Sequence, residues 1–142
     1  MINPNNKAQM SNQAQSPNEK KYDLEERTAK FGENIIEFVQ RLEKNEINRP
    51  LMSQLVRSST SVGANYMEAD GAESKKDFVH KIAICKKEAK ETKHWLRMIV
   101  KANPPKLEEC KKYWREAHEF TLIFSSIINN ARLNNKHEKF VI

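Results

Sequence analysis

The sequence predicts an all-α protein, an antiparallel up-down-up-down four-helix bundle forming one domain, and three observations carry that prediction. Glycine and proline are scarce, 3 and 5 in 142 residues, too few turn-makers for a many-stranded sandwich or barrel. Apolar side chains recur every three or four positions through four long stretches, which is the period of an amphipathic helix. The breaks between those stretches are short, so successive helices must lie side by side. A chain of 142 residues buries roughly two-thirds of its unfolded surface without disulfide or metal. Its mean hydropathy of −0.82 excludes a helical membrane protein.

Residues 1–22 are rich in Asn, Gln, Ser, Lys and Pro and nearly devoid of large apolar side chains, so a mobile tail is expected there. The same stretch has no apolar signal core and no small-residue cleavage site, which predicts a cytoplasmic protein. The first helix is predicted over about 23–45, opened by Asp23, with Leu24, Thr28, Phe31, Ile35, Phe38 and Leu42 inward. The second, about 50–70, starts with Pro50 in its first turn and turns Leu51, Leu55, Val62, Tyr66 and Ala69 inward before Gly71. Ser74 caps the third, about 75–102, whose stripe is Phe78, Ile82, Cys85, Ala89, Thr92, Leu96 and Ile99. After Pro104-Pro105 the fourth, about 105–133, places Leu107, Cys110, Trp114, Ala117, Thr121, Phe124, Ile128 and Ala131 on its heptad positions. Residues 135–142 read as a loose C-terminal tail after a bundle spanning 23–134. Cys85 and Cys110 are expected to be reduced, because a hairpin at Asn103-Pro104-Pro105 offsets them by about 18 Å.

Two helices carry more apolar surface than a monomeric bundle requires. Ile84, Trp95, Met98 and Ala102 repeat on a side of the third helix away from its stripe, and Tyr113, Phe120, Ile123 and Ile127 flank the stripe of the fourth. Long helices can simply bury more, but a second face on adjacent helices also marks a subunit interface. The expectation is a homo-oligomer joined through Ile84, Trp95, Met98, Tyr113, Phe120 and Ile127.

Charge is concentrated in one element. Nine cationic against three acidic side chains over residues 74–102 leave +6, equal to the net charge of the whole chain. Lys75, Lys86, Lys90, Lys93, Arg97 and Lys101 fall in one sector of the helical wheel, with Lys76, Lys87 and His94 at its edge. Such a ridge is either a solvated lysine face or the footprint of phosphate-backbone binding. Trp95 lies on the other side of the helix, so the ridge carries no interleaved aromatic and predicts backbone or shape recognition of structured RNA rather than base stacking. A membrane surface is not expected as a partner, because the apolar stripe of this helix belongs to the core.

The centre of the second helix is polar and small. Gln54, Arg57, Ser58, Ser61, Asn65 and Glu68 flank its apolar stripe, and buried polar groups there need partners across a helix interface. A structural hydrogen-bond network is expected, with Arg57 paired to a carboxylate of the first or third helix; a ligand or catalytic site is the alternative.

At these residues the chain resembles the four-helix-bundle family of proteins encoded in intervening sequences of bacterial 23S rRNA genes. The resemblance rests on QLVRSSTSVGANYMEAD (54–70) and KKDFVHKIAICKKEAKETKHWL (75–96), with Arg57, Ser58, Ser59, Ser61, Asn65, Glu68, Asp77, Phe78 and Glu91 in the family's pattern, and covers about 23–133. Cys85-Lys86-Lys87 departs from the small-residue step often found in the third helix, as does the Asn/Gln-rich leading tail. The resemblance implies an antiparallel bundle assembling into ring-like pentamers, with no catalytic activity. Members are similar to the basic accessory variability determinant protein of diversity-generating retroelements, which implies nucleic acid, and a reverse transcriptase or other acidic protein, as partners.

Enzymatic chemistry and cofactors are not expected. Glu91-Thr92-Lys93-His94 spells one Glu-x-x-His, but its nearest companion, Asp77-Phe78-Val79-His80, lies on the same helix outside the stripe, whereas a di-metal site needs inward ligands from four helices. Phosphate-loop, dinucleotide, nucleophile-elbow and zinc-protease motifs are lacking. His118 has no positioned nucleophile or third group in its sequence neighbourhood.

Overall fold

The computed structural model describes the backbone of residues 17–141 and the side chains of residues 24–134. Four helices follow one another: α1 (Pro17–Gln40), α2 (Asn48–Asp70), α3 (Lys75–Ala102) and α4 (Leu107–Val141), with a 3₁₀ turn at Pro104–Lys106 ahead of α4. No strand occurs among the described residues.

The boundaries differ from the sequence reading where local capping outweighs periodicity. The tail expected over 1–22 lies outside the described residues up to residue 16. From Pro17 the chain is already helical, and a proline in the first turn loses no hydrogen bond the helix would have made. α1 stops at Gln40 rather than near 45. Its last turn tightens through bonds from the Arg41 and Leu42 amides to the Phe38 and Val39 carbonyls, which keeps Leu42 buried. α2 begins at Asn48 instead of Pro50, because Asn45 Oδ1 accepts from the amides of Ile47 (3.1 Å) and Asn48 (2.8 Å) and starts the helix early. Ser74 caps α3 as expected, accepting from the Asp77 amide at 3.0 Å. The helical backbone of α4 continues to Val141, past the expected tail boundary at residue 134.

The core is contiguous and draws on all four helices. Leu24, Phe31, Ile35 and Phe38 from α1, Leu42 just past its end, Leu55, Val62, Tyr66 and Ala69 from α2, and Ile82, Cys85, Ala89, Leu96 and Ile99 from α3 are buried, as their spacing predicts. On α4, Cys110, Ala117, Thr121, Phe124 and Ile128 are buried as their spacing predicts, but the buried arc is turned a little from the predicted stripe. Tyr113 and Phe120, expected at an oligomer interface, are sealed inside this subunit, while Leu107 and Trp114, expected inside, are about two-fifths exposed. The reason is aromatic packing against α1: Phe31 meets Phe120 edge-on at 5.4 Å, and Phe38 meets Tyr113 at 5.3 Å. An apolar arc as wide as that of α4 can be seated in more than one rotation, and the rings of α1 choose between them.

Helix-to-helix contacts define the order of approach. Along α2 and α3 the pairs Asn48–Asn103, Ser58–Thr92, Val62–Cys85 and Glu68–Lys81 rise in one helix as they fall in the other. The pairs Phe31–Phe120, Phe38–Tyr113 and Arg41–Glu109 do the same between the α1 segment and α4. Gly63 lets α2 approach α1 closely, since a β-carbon there would lie 3.4 Å from the Thr28 backbone. Asn48 and Asn103 exchange side-chain amide bonds at 3.0 and 2.9 Å, tying the start of α2 to the end of α3.

Candidate nucleic-acid interface

Two polar systems on opposite sides of α3 decide which of its charges are available. On the α2 side, Arg57 gathers the acids. Its Nη1 donates to Glu88 Oε2 at 3.1 Å, its Nη2 meets Glu91, and its Nε donates to Gln54 at 3.0 Å. Glu91 also accepts from Trp95 Nε1 at 3.0 Å. Glu88 is almost wholly buried, so this carboxylate sits inside the fold only because a guanidinium meets it. One turn away the Thr92 hydroxyl lies 2.9 Å from Ser58 Oγ and 2.8 Å from the Glu88 carbonyl. Further along, Glu68 takes Lys81 at 2.5 Å.

The expected network is thus partly assembled. Arg57, Ser58 and Glu68 reach across to α3, and Gln54 joins them only by accepting from Arg57 within α2. Ser61 and Asn65 do not cross: their side chains donate to the carbonyls of Arg57 (2.7 Å) and Ser61 (2.8 Å) of α2 itself. Every buried side-chain nitrogen and oxygen among the described residues has a hydrogen-bond partner, and no group of three or more metal-ligating side chains occurs among them. His80 and His94 are both exposed.

The other side of α3 is basic and open. Lys75, Lys76, Lys87, Lys90, Arg97 and Lys101 are exposed, and Lys86 and Lys93 are half-buried against α4. Among the described residues, Lys76, Lys86, Lys87, Lys90, Arg97 and Lys101 form no ion pair. The two α3 glutamates are committed to Arg57, leaving Asp77 in the first turn as its remaining acid. The field along the ridge is therefore stronger than a count over the helix implies, because its nearest counter-charges point away from it.

α4 completes this face with residues that sequence reasoning assigned elsewhere. Trp114, displaced from the core by the rotation of α4, stacks on His118 with ring centroids 5.0 Å apart and planes 14° from parallel. Lys93 Nζ sits 3.0 Å from His118 Nδ1 and 5.0 Å from the centre of the Trp114 ring. The ridge therefore does have an aromatic beside it, contributed by the neighbouring helix. A cleft of about 280 Å³ adjoins Trp114, with Leu96, Val100 and Cys110 beneath and Arg97 and Lys111 at its mouth. The signal for this was present as the exposed edge of an over-wide apolar arc, but periodicity alone placed Trp114 on the wrong side of it.

Of the remaining residues expected at an oligomer interface, Ile84, Trp95, Met98 and Ile127 are half-buried, with Trp95 and Ile127 packed on the core edge. A larger cleft of about 630 Å³ between α1 and α2 is bordered by Glu25, Glu26 and Glu33, so it repels polyanions. Both cysteines are free and buried. Burial pushes the Cys85 thiol up to about 12 and the Cys110 thiol up to about 11.

A bundle of four helices with one acid-depleted, lysine-rich face defines an all-helical protein with a basic surface ridge. The chain belongs to the family of 23S rRNA-intervening sequence proteins, whose pattern residues 20–126 match. It is similar to a solved structure from Bacteroides thetaiotaomicron, described as a protein of unknown function from the S23 ribosomal protein family. The two are 29% identical, with a TM-score of 0.71 over 78% of this chain and 98% of that one. No curated protein matches the chain. No helix among the described residues is long and apolar enough to cross a membrane.

Proposed function

We propose that this protein is a non-enzymatic, antiparallel four-helix-bundle protein that binds nucleic acid, RNA foremost, through the basic face of α3. The observation that carries the reading is the segregation of charge on α3: the glutamates are held by Arg57 on one side, and a line of uncompensated cations remains on the other. Such a line tracks a phosphate backbone and gains free energy by releasing its condensed counterions. The opposed running order of the paired contacts between α2 and α3, and between the α1 segment and α4, supports the antiparallel bundle.

Assembly into a ring-like homo-oligomer, with a pentamer favoured, would repeat the ridge and multiply its field. Ile84, Trp95, Met98 and Ile127 remain the candidate contacts, and Tyr113 and Phe120 drop out because their own subunit buries them.

The deciding experiment is a salt titration of binding to a labelled structured RNA. The Lys86→Glu, Lys90→Glu, Arg97→Glu triple variant should lose most of its affinity and flatten the plot of log K against log salt by roughly 2–3, near 0.7–0.9 for each phosphate no longer neutralised. An unchanged slope refutes the reading. Capture of an acidic protein, such as a reverse transcriptase, that survives nuclease treatment and depends on the same lysines would reassign the ridge to a protein partner.

A further inference from the structure

We propose that the groove between α3 and α4 is a base-stacking site, in which Trp114, backed by His118, receives an unpaired nucleobase while the flanking cations hold the phosphates on either side. This rests on the nucleic-acid reading above and adds to it a choice of ligand: single-stranded RNA over duplex.

Three observations converge on the groove. The first is an aromatic surface where a bundle does not need one. Trp114 is 40% exposed, yet it is oriented, because His118 one turn later lies parallel to it and Lys93 reaches over from α3. Stacking on an ordered ring avoids the entropy of ordering a free one. The second is the cleft beside it. Its apolar base is Leu96, Val100 and Cys110, and its volume of about 280 Å³ is just below the roughly 300–1,000 Å³ of pockets that engulf a drug-sized ligand. That is room for one flat heterocycle, with no polar side chain inside to read its edge. The third is charge. Arg97 and Lys111 stand at the mouth, and Lys86 and Arg132 border a second hollow farther along the same pair of helices. No acidic side chain lines either hollow.

An aromatic plate between cations is the arrangement by which proteins hold single strands: stacking is tolerant of sequence because every base has a flat face, and the electrostatics follow the backbone. A duplex keeps its bases paired and cannot use the plate. An apolar peptide would leave the cations unanswered. The groove thus selects strandedness and not sequence.

The test uses the full-length chain. Trp95 and Trp114 are its 2 tryptophans, so Trp95→Phe leaves Trp114 as the only indole reporter and keeps an aromatic ring at position 95. Titrating this variant with a single-stranded oligoadenylate should quench Trp114 emission strongly, whereas a duplex RNA of equal length should bind with little quenching. In the otherwise native chain, Trp114→Ala should weaken single-strand binding by about 5- to 150-fold, the equivalent of about 1–3 kcal/mol per stacked base. Duplex affinity and salt slope should stay unchanged, and Trp114→Phe should recover most of the loss. Thermal melts monitored by circular dichroism establish that each variant is folded.

Equal binding of both RNAs by Trp114→Ala and the native chain overturns the stacking site and leaves the ridge standing. A loss of single-strand and duplex affinity by the same factor does so too. Failure of the native chain to bind either RNA overturns the nucleic-acid reading itself. A change in Trp114 emission that tracks protein concentration without RNA would show that a second copy covers the groove, and would also overturn the proposal.

Discussion

Removing Arg57 tests whether the polar cluster between α2 and α3 is structural. In Arg57→Met the buried Glu88 carboxylate loses the guanidinium 3.1 Å away, and Glu91 and Gln54 lose a shared partner. Breaking a sealed pair by deleting one member costs about 3–5 kcal/mol. The Arg57 side chain is 47% exposed and that of Glu88 10%, so water reaches one half of the pair and the expected loss falls to about 2–3 kcal/mol. Replacing both members, as Arg57→Met with Glu88→Leu, removes the stranded charge and should return to within about 1 kcal/mol of the native chain. Equilibrium urea unfolding followed by circular dichroism at pH 7 measures Arg57→Met, Glu88→Leu and the double variant, with an unchanged m-value as the sign that the same surface is exposed. If Arg57→Met costs under about 0.5 kcal/mol, or if the two substitutions simply add, the pair does not hold Glu88 in the fold. Because Arg57 faces away from the ridge, folded Arg57→Met should also keep its RNA affinity. Loss of affinity with intact folding would turn this cluster into a ligand site.

Other substitutions probe the register of α4, the buried thiols and the start of α3. Phe120→Ala should destabilise the protein by about 3–5 kcal/mol through a core cavity, whereas Leu122→Ala, at an exposed position, should stay within about 0.5 kcal/mol; urea midpoints separate the two. Cys85 and Cys110 should resist an aromatic disulfide reagent at pH 8 and react together once urea unfolds the chain, since burial keeps both as neutral thiols. Both are raised in the folded state, so the stabilisation they confer is complete below the ordinary thiol value near 9. It is lost as pH climbs toward about 11 for Cys110 and about 12 for Cys85. Urea midpoints should therefore fall above pH 9, and replacing both cysteines by alanine should remove that part of the fall. Ser74→Ala deprives the Asp77 amide of its acceptor and should cost about 1 kcal/mol by the same unfolding assay.

Much of this protein is determined locally and could be read from the order of its residues. Side chains three and four positions apart share a helix face whatever the neighbours do, so the stripes of α1, α2 and α3 were legible down to Thr28 and Thr92. So was the Ser74 cap, which needs only the next turn of chain, and so was the basic sector of α3, which is a property of one helix. What depended on two helices meeting was not legible. The rotation of α4 was set by the Phe31 and Phe38 rings of α1, which drew Tyr113 and Phe120 inward and turned Trp114 out toward Lys93. The fate of Arg57, Ser61 and Asn65 was decided by reach: Arg57 is long enough to cross to Glu88, while the short Ser61 and Asn65 side chains find the carbonyls of their own helix first. The Asn48–Asn103 amide pair joins residues far apart in the chain, and no spacing rule connects them. Helix faces follow from a period that every residue carries with it. The partner each face meets is a comparison of packing energies between whole helices, and only the assembled bundle makes that comparison.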